Sequence, residues 1–217
     1  MTEVLTSAAA AIISAFVFIR YTAADKKESI AGYIKNNDII CARIVLVFLA
    51  VNLLVIHISG TCGRTICETA NSAVLINAMI VMSVSDIKFR KIPNTYLLEL
   101  LTVKCIIIAA DICLYSHARE VLVQSVTGLA AGFGIMMIIY LVSRKSVGAG
   151  DVKMYSVIGF FAGGAGIIDI LVYSSVFCTL TGSVLLITRK CTLKSLVPMA
   201  PFACLGSVTY FIIGAVK

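Results

Sequence analysis

The chain has 217 residues, of which 60% are hydrophobic and only 13% charged, with a net charge of +7. Soluble domains carry about 25% charged and about 45–50% apolar residues, so this composition excludes an ordinary soluble globular protein. Nucleic acid does not account for the basic balance, because no basic run reaches five residues and no Trp is present as a stacking platform.

The apolar residues fall in blocks of roughly 16–24, the length that crosses about 30 Å of hydrocarbon. The expected fold class is all-α, a polytopic membrane helix bundle of about eight transmembrane helices in one integral membrane domain covering 1–217. In chain order the expected spans are 4–20, 39–58, 68–85, 95–115, 121–143, 152–162, 167–188 and 196–216. Glu3 stands where a signal peptide carries positive charge, and Arg20 follows the first apolar run, so that run reads as retained. The sixth span is short, and Gly163, Gly164 and Gly166 soften its end. Connections are short except 21–38.

Eight Cys are present, most of them inside apolar blocks, where Cys acts as a small hydrophobe. No C-x-x-C occurs, and His57 and His117 give no metal-ligand spacing, so neither a metal nor another cofactor is expected. Cys62 and Cys67 share a loop in which a disulfide and two thiols both remain open.

Basic residues set the orientation. One set of gaps holds Arg20, Lys26, Lys27, Lys35, Arg43, Lys88, Arg90, Lys91, Arg144, Lys145, Lys153, Arg189, Lys190 and Lys194. The opposite side holds Arg64, Arg119 and Lys217. The expected arrangement is a multi-pass protein of the cytoplasmic membrane, with the basic gaps inside and both termini outside.

Two carboxylates need a reason to be near hydrocarbon, where charge is costly. Asp86 closes the third span in Val84-Ser85-Asp86-Ile87-Lys88-Phe89-Arg90-Lys91-Ile92-Pro93-Asn94. A solvated loop carboxylate paired with Lys88 or Arg90 is the plain reading. However, a carboxylate at a helix C-terminus faces the negative end of the helix dipole, so stability alone does not select it. Asp151 lies in Gly148-Ala149-Gly150-Asp151-Val152-Lys153. Its plain reading is an N-cap that starts the sixth helix, with glycines making the turn. The motif is neither a Walker loop nor a dinucleotide fingerprint.

The pair is more informative than either member. Two spans separate Asp86 from Asp151, and an even number of crossings returns the chain to the same side. Both carboxylates are then expected at the cytoplasmic ends of their helices, at similar depth. Adjacent carboxylates share a proton. One can act as general base on water while the other polarises a scissile carbonyl. Glycines beside an Asp let an extended peptide backbone approach closely.

Asp86 followed by Ile92-Pro93-Asn94, then Gly148-Ala149-Gly150-Asp151-Val152-Lys153, then Pro198-Met199-Ala200-Pro201-Phe202 before Gly206, resembles the type IV prepilin peptidases. These are G-x-G-D membrane aspartyl proteases. The resemblance covers the third span to the C-terminus, so 68–217 reads as a peptidase core and 1–67 as two additional N-terminal helices. It implies that Asp86 and Asp151 are the catalytic pair. It also implies that prepilins or pseudopilins are the substrates, cut at the cytoplasmic face between a basic leader and an apolar helix. Larger bacterial members carry a cytoplasmic insert with paired C-x-x-C motifs, linked to N-methylation of the product. The corresponding gap, 21–38, is short and has no Cys, which implies a peptidase without methyltransferase function.

Other residues near these motifs have a plainer reading beside the functional one. Pro93 and Asn94 start the fourth helix, with Asn94 as N-cap. Lys153 either tunes the pair by its charge or sits among lipid headgroups. Gly148 and Gly150 shape the site, and Pro198 and Pro201 kink or open the last helix near it. Glu99, Lys104 and Asp111 are expected to face the bundle interior. Gly128-x-x-x-Gly132 and Gly159-x-x-x-Gly163 read as helix-packing sites. A proton- or cation-coupled transporter is the alternative, and it calls for inverted repeats and charges near the bilayer midplane, which are not evident. The partners are therefore the bilayer and prepilin-like substrates, with no nucleic acid.

Overall fold

The computed structural model describes residues 12, 15–16, 18–20, 38–90, 92–115, 118–143, 147–188 and 197–216. Most of the expected first span and almost all of the gap 21–38 lie outside them, as do Lys91, His117, Arg144, Lys145, Arg189, Lys190 and Lys194. Among the described residues the elements are α1 (Asp38–Thr61), α2 (Ile66–Phe89), α3 (Asn94–Tyr115), α4 (Ala118–Val142), α5 (Ala149–Ile187) and α6 (Ala200–Val216). All are helical, and they fall into two compact units, Met1–Val81 and Met82–Lys217. Ile44–Thr61, Ile66–Phe89, Arg119–Val142 and Ala149–Ile187 are each long and apolar enough to cross a membrane. Large apolar side chains such as Leu98, Ile106, Val126, Ile138, Val172 and Val184 point outward, each more than half exposed. Outward apolar faces on successive helices suit lipid as the surrounding medium.

The expectation of eight helices is corrected at α5. The residues expected as a sixth and a seventh helix form one element with no intervening loop. Its only non-helical backbone is Gly163, at φ 80° and ψ 173°. A left-handed φ is open to glycine without steric cost, which is why the reversal sits there. Tyr155 Oη donates to Ser174 Oγ at 3.0 Å. In a straight helix those residues would stand roughly 28 Å apart at 1.5 Å per residue. The two arms, 149–162 and 164–187, therefore fold back on each other. The first arm is about 20 Å long, shorter than the roughly 30 Å hydrocarbon layer.

That first arm is the centre of the second unit. Val152 and every residue from Met154 to Phe161 are buried, all round the helix. A helix apolar on every side belongs in an interior. Its approach to α4 is backbone on backbone. A Cβ placed on Gly128 would overlap the Gly159 carbonyl, and one on Gly132 would overlap the Tyr155 carbonyl. The two small-residue motifs are thus the packing sites expected of them. Close approach of this kind is the main source of helix association in lipid, which offers no hydrophobic drive between helices. The second arm meets α6 with Gly206 against the Ile170 carbonyl, backbone on backbone, and with Gly166 against the Tyr210 side chain.

Within the first unit, α2 starts with a reciprocal capping box. Glu68 N–H donates to Thr65 Oγ1 at 3.2 Å, and Thr65 N–H donates to Glu68 Oε2 at 3.1 Å. Farther along, Asn52 and Asn77 exchange amide hydrogen bonds at 3.2 Å in both directions. Both are buried, so the pair joins α1 to α2 with polar groups fully inside.

Of the three charges in α3, Lys104 is buried, with its ammonium 5.5 Å from the Phe161 ring centroid on the first arm. This is a cation–π distance. Asp111 is half-buried, and Glu99 is exposed rather than facing the interior.

Candidate active site

Asp86 does not close its helix. The helix continues to Phe89, and the Asp86 carbonyl accepts from Arg90 N–H at 2.9 Å. The carboxylate therefore projects from the last turn and is buried, at 8% exposure. The turn that follows holds Arg90 at φ 51°, a conformation L side chains rarely take.

The partner of that carboxylate is a backbone group. Ala200 N–H donates to Asp86 Oδ2 at 3.0 Å. Ala200 is the first residue of α6, where N–H groups have no acceptor inside the helix. Phe202 and Ala203 N–H groups both go to the Met199 carbonyl at 3.1 Å, and Pro201 has no N–H. Ala200 is left with its donor directed at Asp86. Pro198 precedes α6 and Pro201 is its second residue, so of the two expectations, a kinked or an opened helix near the site, the kink is corrected.

The plain reading of Asp151 as an N-cap is corrected. The N-cap of α5 is Gly148, at φ −72° and ψ 143°, and Asp151 is the third helical residue. Its Oδ2 accepts from Gly148 N–H at 3.2 Å. This is the acidic half of a capping box, whose other half glycine cannot supply.

Asp86 and Asp151 open into one cavity of about 340 Å³. Its other lining residues are Arg90, Ile92, Asn94, Gly148, Gly150 and Lys153. Of the residues singled out from the sequence, Gly148, Gly150, Lys153 and Asn94 are brought to this cavity with the two carboxylates. Pro93 is not in the lining, although both of its neighbours are. Pro201 is not in the lining either, and it acts at the start of α6. Gly150 faces Ile92, whose side-chain carbons lie 3.7–4.0 Å from where a Cβ would be.

Asn94 is the first residue of α3 and not its cap, since the first helical bond runs from Leu97 N–H to the Pro93 carbonyl at 3.3 Å. Its amide oxygen accepts instead from Lys153 Nζ at 3.1 Å. Lys153 therefore ties the wall of the cavity on α5 to the wall on α3. Two contributors escaped sequence reasoning. The Ala200 N–H is a backbone group with no side-chain signature. Ser83, whose hydroxyl donates to the Ala200 carbonyl at 3.1 Å, looks like any other helix serine.

The cavity combines two carboxylates, two basic side chains and glycines in its lining. The type IV leader peptidase family matches residues 73–183, and the chain belongs to that family. It is also 28% identical over 147 residues to a prepilin leader peptidase/N-methyltransferase of Bacillus subtilis (strain 168). That alignment covers 68% of this chain and 57% of the relative, so the chain spans a little over half of the relative's length. No solved structure matches the chain.

Proposed function

We propose that this protein is an aspartyl endopeptidase that removes the leader peptides of type IV prepilins or pseudopilins at the cytoplasmic face of the cell membrane. The observation that carries the reading is the shared cavity of Asp86 and Asp151, whose carboxylates come from two different helices. In this reading one carboxylate takes a proton from water as the water oxygen bonds to the scissile carbonyl carbon. The other, protonated, donates to the carbonyl oxygen. The tetrahedral intermediate then collapses. The carboxyl that took the water proton passes it to the amide nitrogen, a hydroxyl of the gem-diol returns its proton to the other carboxylate, the C–N bond breaks, and the two carboxyls again share one proton. Gly148 and Gly150 leave room for an extended backbone, and Lys153 and Asn94 hold the walls.

The transport reading gains no support, because both carboxylates lie in the terminal turns of their helices and not at mid-span. The experiment is co-expression with a prepilin. A size shift in the prepilin that disappears with Asp86→Asn and with Asp151→Asn supports the protease. A shift that persists in either variant counts against it.

The reversal at Gly163 supports a same-side arrangement for the two ends of α5. Reporter fusions after Lys145 and after Lys190 are expected to read cytoplasmic, and one after His117 external. A cytoplasmic reading at His117 would break the argument for the orientation.

The relative's printed name includes a methyltransferase, and this reading does not extend to it. The expected basis of that activity, a Cys-bearing insert after the first span, has no counterpart in the gap 21–38. The processed pilin is expected to carry an unmethylated N-terminus when this chain is the only enzyme added. Detection of a methylated product by mass spectrometry would overturn that.

A further inference from the structure

We infer that Ser83 is a positioning residue for Asp86, acting through the backbone of Ala200. The inference rests on the protease reading above, in which Asp86 is catalytic. Ser83 and Asp86 are three residues apart on α2 and so share a face. Both reach the same residue on α6. The Ser83 hydroxyl donates to the Ala200 carbonyl at 3.1 Å, and the Ala200 N–H donates to Asp86 Oδ2 at 3.0 Å.

The two bonds lie on opposite sides of the Ala200 Cα, one on the peptide before it and one on the peptide after it. A two-point attachment fixes both the distance and the direction of the N–H donor. Its surroundings leave little play. Ala200 is wholly buried, Ser83 is 9% exposed and Asp86 8%. The Ala200–Pro201 amide is held by the proline ring, which locks φ of Pro201 near −65°. Pro198-Met199-Ala200-Pro201 therefore acts as a stiff bracket, with Ser83 as the pin that holds it to α2.

Ser83 makes a bond that leaves its own helix. Hydroxyls such as Ser72, Ser156 and Ser207 donate to the carbonyl four residues back in their own helix. Ser83 donates to a carbonyl 117 residues away in the chain. Back-bonding within a helix satisfies a hydroxyl locally. A bond between helices also aligns the groups it joins. Here it aligns the Ala200 N–H, which donates to the Asp86 carboxylate. Displacing a reacting group by about 1 Å can cost on the order of 10²-fold in rate. A carboxylate held by a donor that has lost its anchor is open to such a displacement.

The test compares kcat and KM for a prepilin substrate, using the full chain purified in detergent. The variants are Ser83→Thr, Ser83→Val, Ser83→Ala and Asp86→Asn. Thr and Val have nearly the same shape and differ in the hydroxyl. Ser83→Thr is expected to keep kcat within about 2-fold, and Ser83→Val to lower it by about 10- to 100-fold with little change in KM. Ser83→Ala removes only the oxygen, fits any space the serine fills, and is expected to follow Val. Loss in Thr and Val alike would make shape the cause and overturn the inference. So would a rise in KM at parental kcat, or parental kcat in Ser83→Ala. If Asp86→Asn is inactive while Ser83→Ala is normal, the positioning role fails and the protease reading stands. If Asp86→Asn is active, both fail.

Discussion

Asp151→Asn is expected to abolish prepilin cleavage while leaving the protein folded and inserted in the membrane. Asn has the size of Asp and keeps a side-chain oxygen that can accept from Gly148 N–H, the bond now made at 3.2 Å. The start of α5 is therefore preserved, and a purely structural Asp151 predicts little loss. In the proposed chemistry the same change removes a group that must hold or release a proton. General acid–base catalysis contributes about 10²–10⁴-fold per group. Residues that act as one unit lose most of the rate when either is removed. The structural and catalytic readings thus disagree by orders of magnitude about one isosteric substitution. The measurement is the rate of leader removal per folded molecule, with expression and detergent elution checked against the parent. Retention of more than a small fraction of the parental rate would remove Asp151 from the catalytic role.

The sequence carried the outline of this site because its signals are local or countable. Pro93 marks the start of α3, since proline is tolerated where a helix begins and not inside it. The expected span 95–115 accordingly lies within one residue of Asn94–Tyr115. Parity put Asp86 and Asp151 on one expected side, because two intervening spans return the chain to its starting side, whereas their meeting in one cavity was implied only by the family resemblance. Helix ends were less legible. Nothing in Ile87-Lys88-Phe89 says whether a charged turn continues the helix or leaves it, and here it continues. The return of the chain between 162 and 167 was expected, but that a single residue, Gly163, would make the turn with no loop was not legible. Tyr155 meeting Ser174 depends on contacts that only the folded chain makes. The Ala200 donor was out of reach for a different reason, since backbone N–H groups are the same in every residue but proline. A sequence can show only that the prolines beside it leave few donors in that turn.

Enlarging Gly128 or Gly159 is expected to cost more stability than any other glycine substitution in the second unit. A Cβ on Gly128 would overlap the Gly159 carbonyl and stand 2.7 Å from the Gly163 carbonyl carbon. A Cβ on Gly159 would overlap the Gly128 carbonyl. These neighbours are backbone, so no rotamer change relieves the contact and one helix must move. Even Gly128→Ala and Gly159→Ala should therefore reach or exceed the upper part of the range of about 1–3 kcal/mol for overpacking. Gly134 and Gly182 are the controls. They stand in the same two helical elements as Gly128 and Gly159 with nothing within 4 Å of an added Cβ. Alanine at either should be neutral or stabilise by up to about 1 kcal/mol through helix propensity. The consequence reaches the site, because Gly159 stands about two turns beyond Asp151 on the same buried arm. Pushing that arm away from α4 should misplace the carboxylate and lower cleavage in the protein that still folds. Denaturation in detergent of the four alanine variants, followed by their cleavage rates, checks both parts. Equal stability of Gly128→Ala and Gly134→Ala would show that the close backbone contact between α4 and the first arm does not hold the unit together.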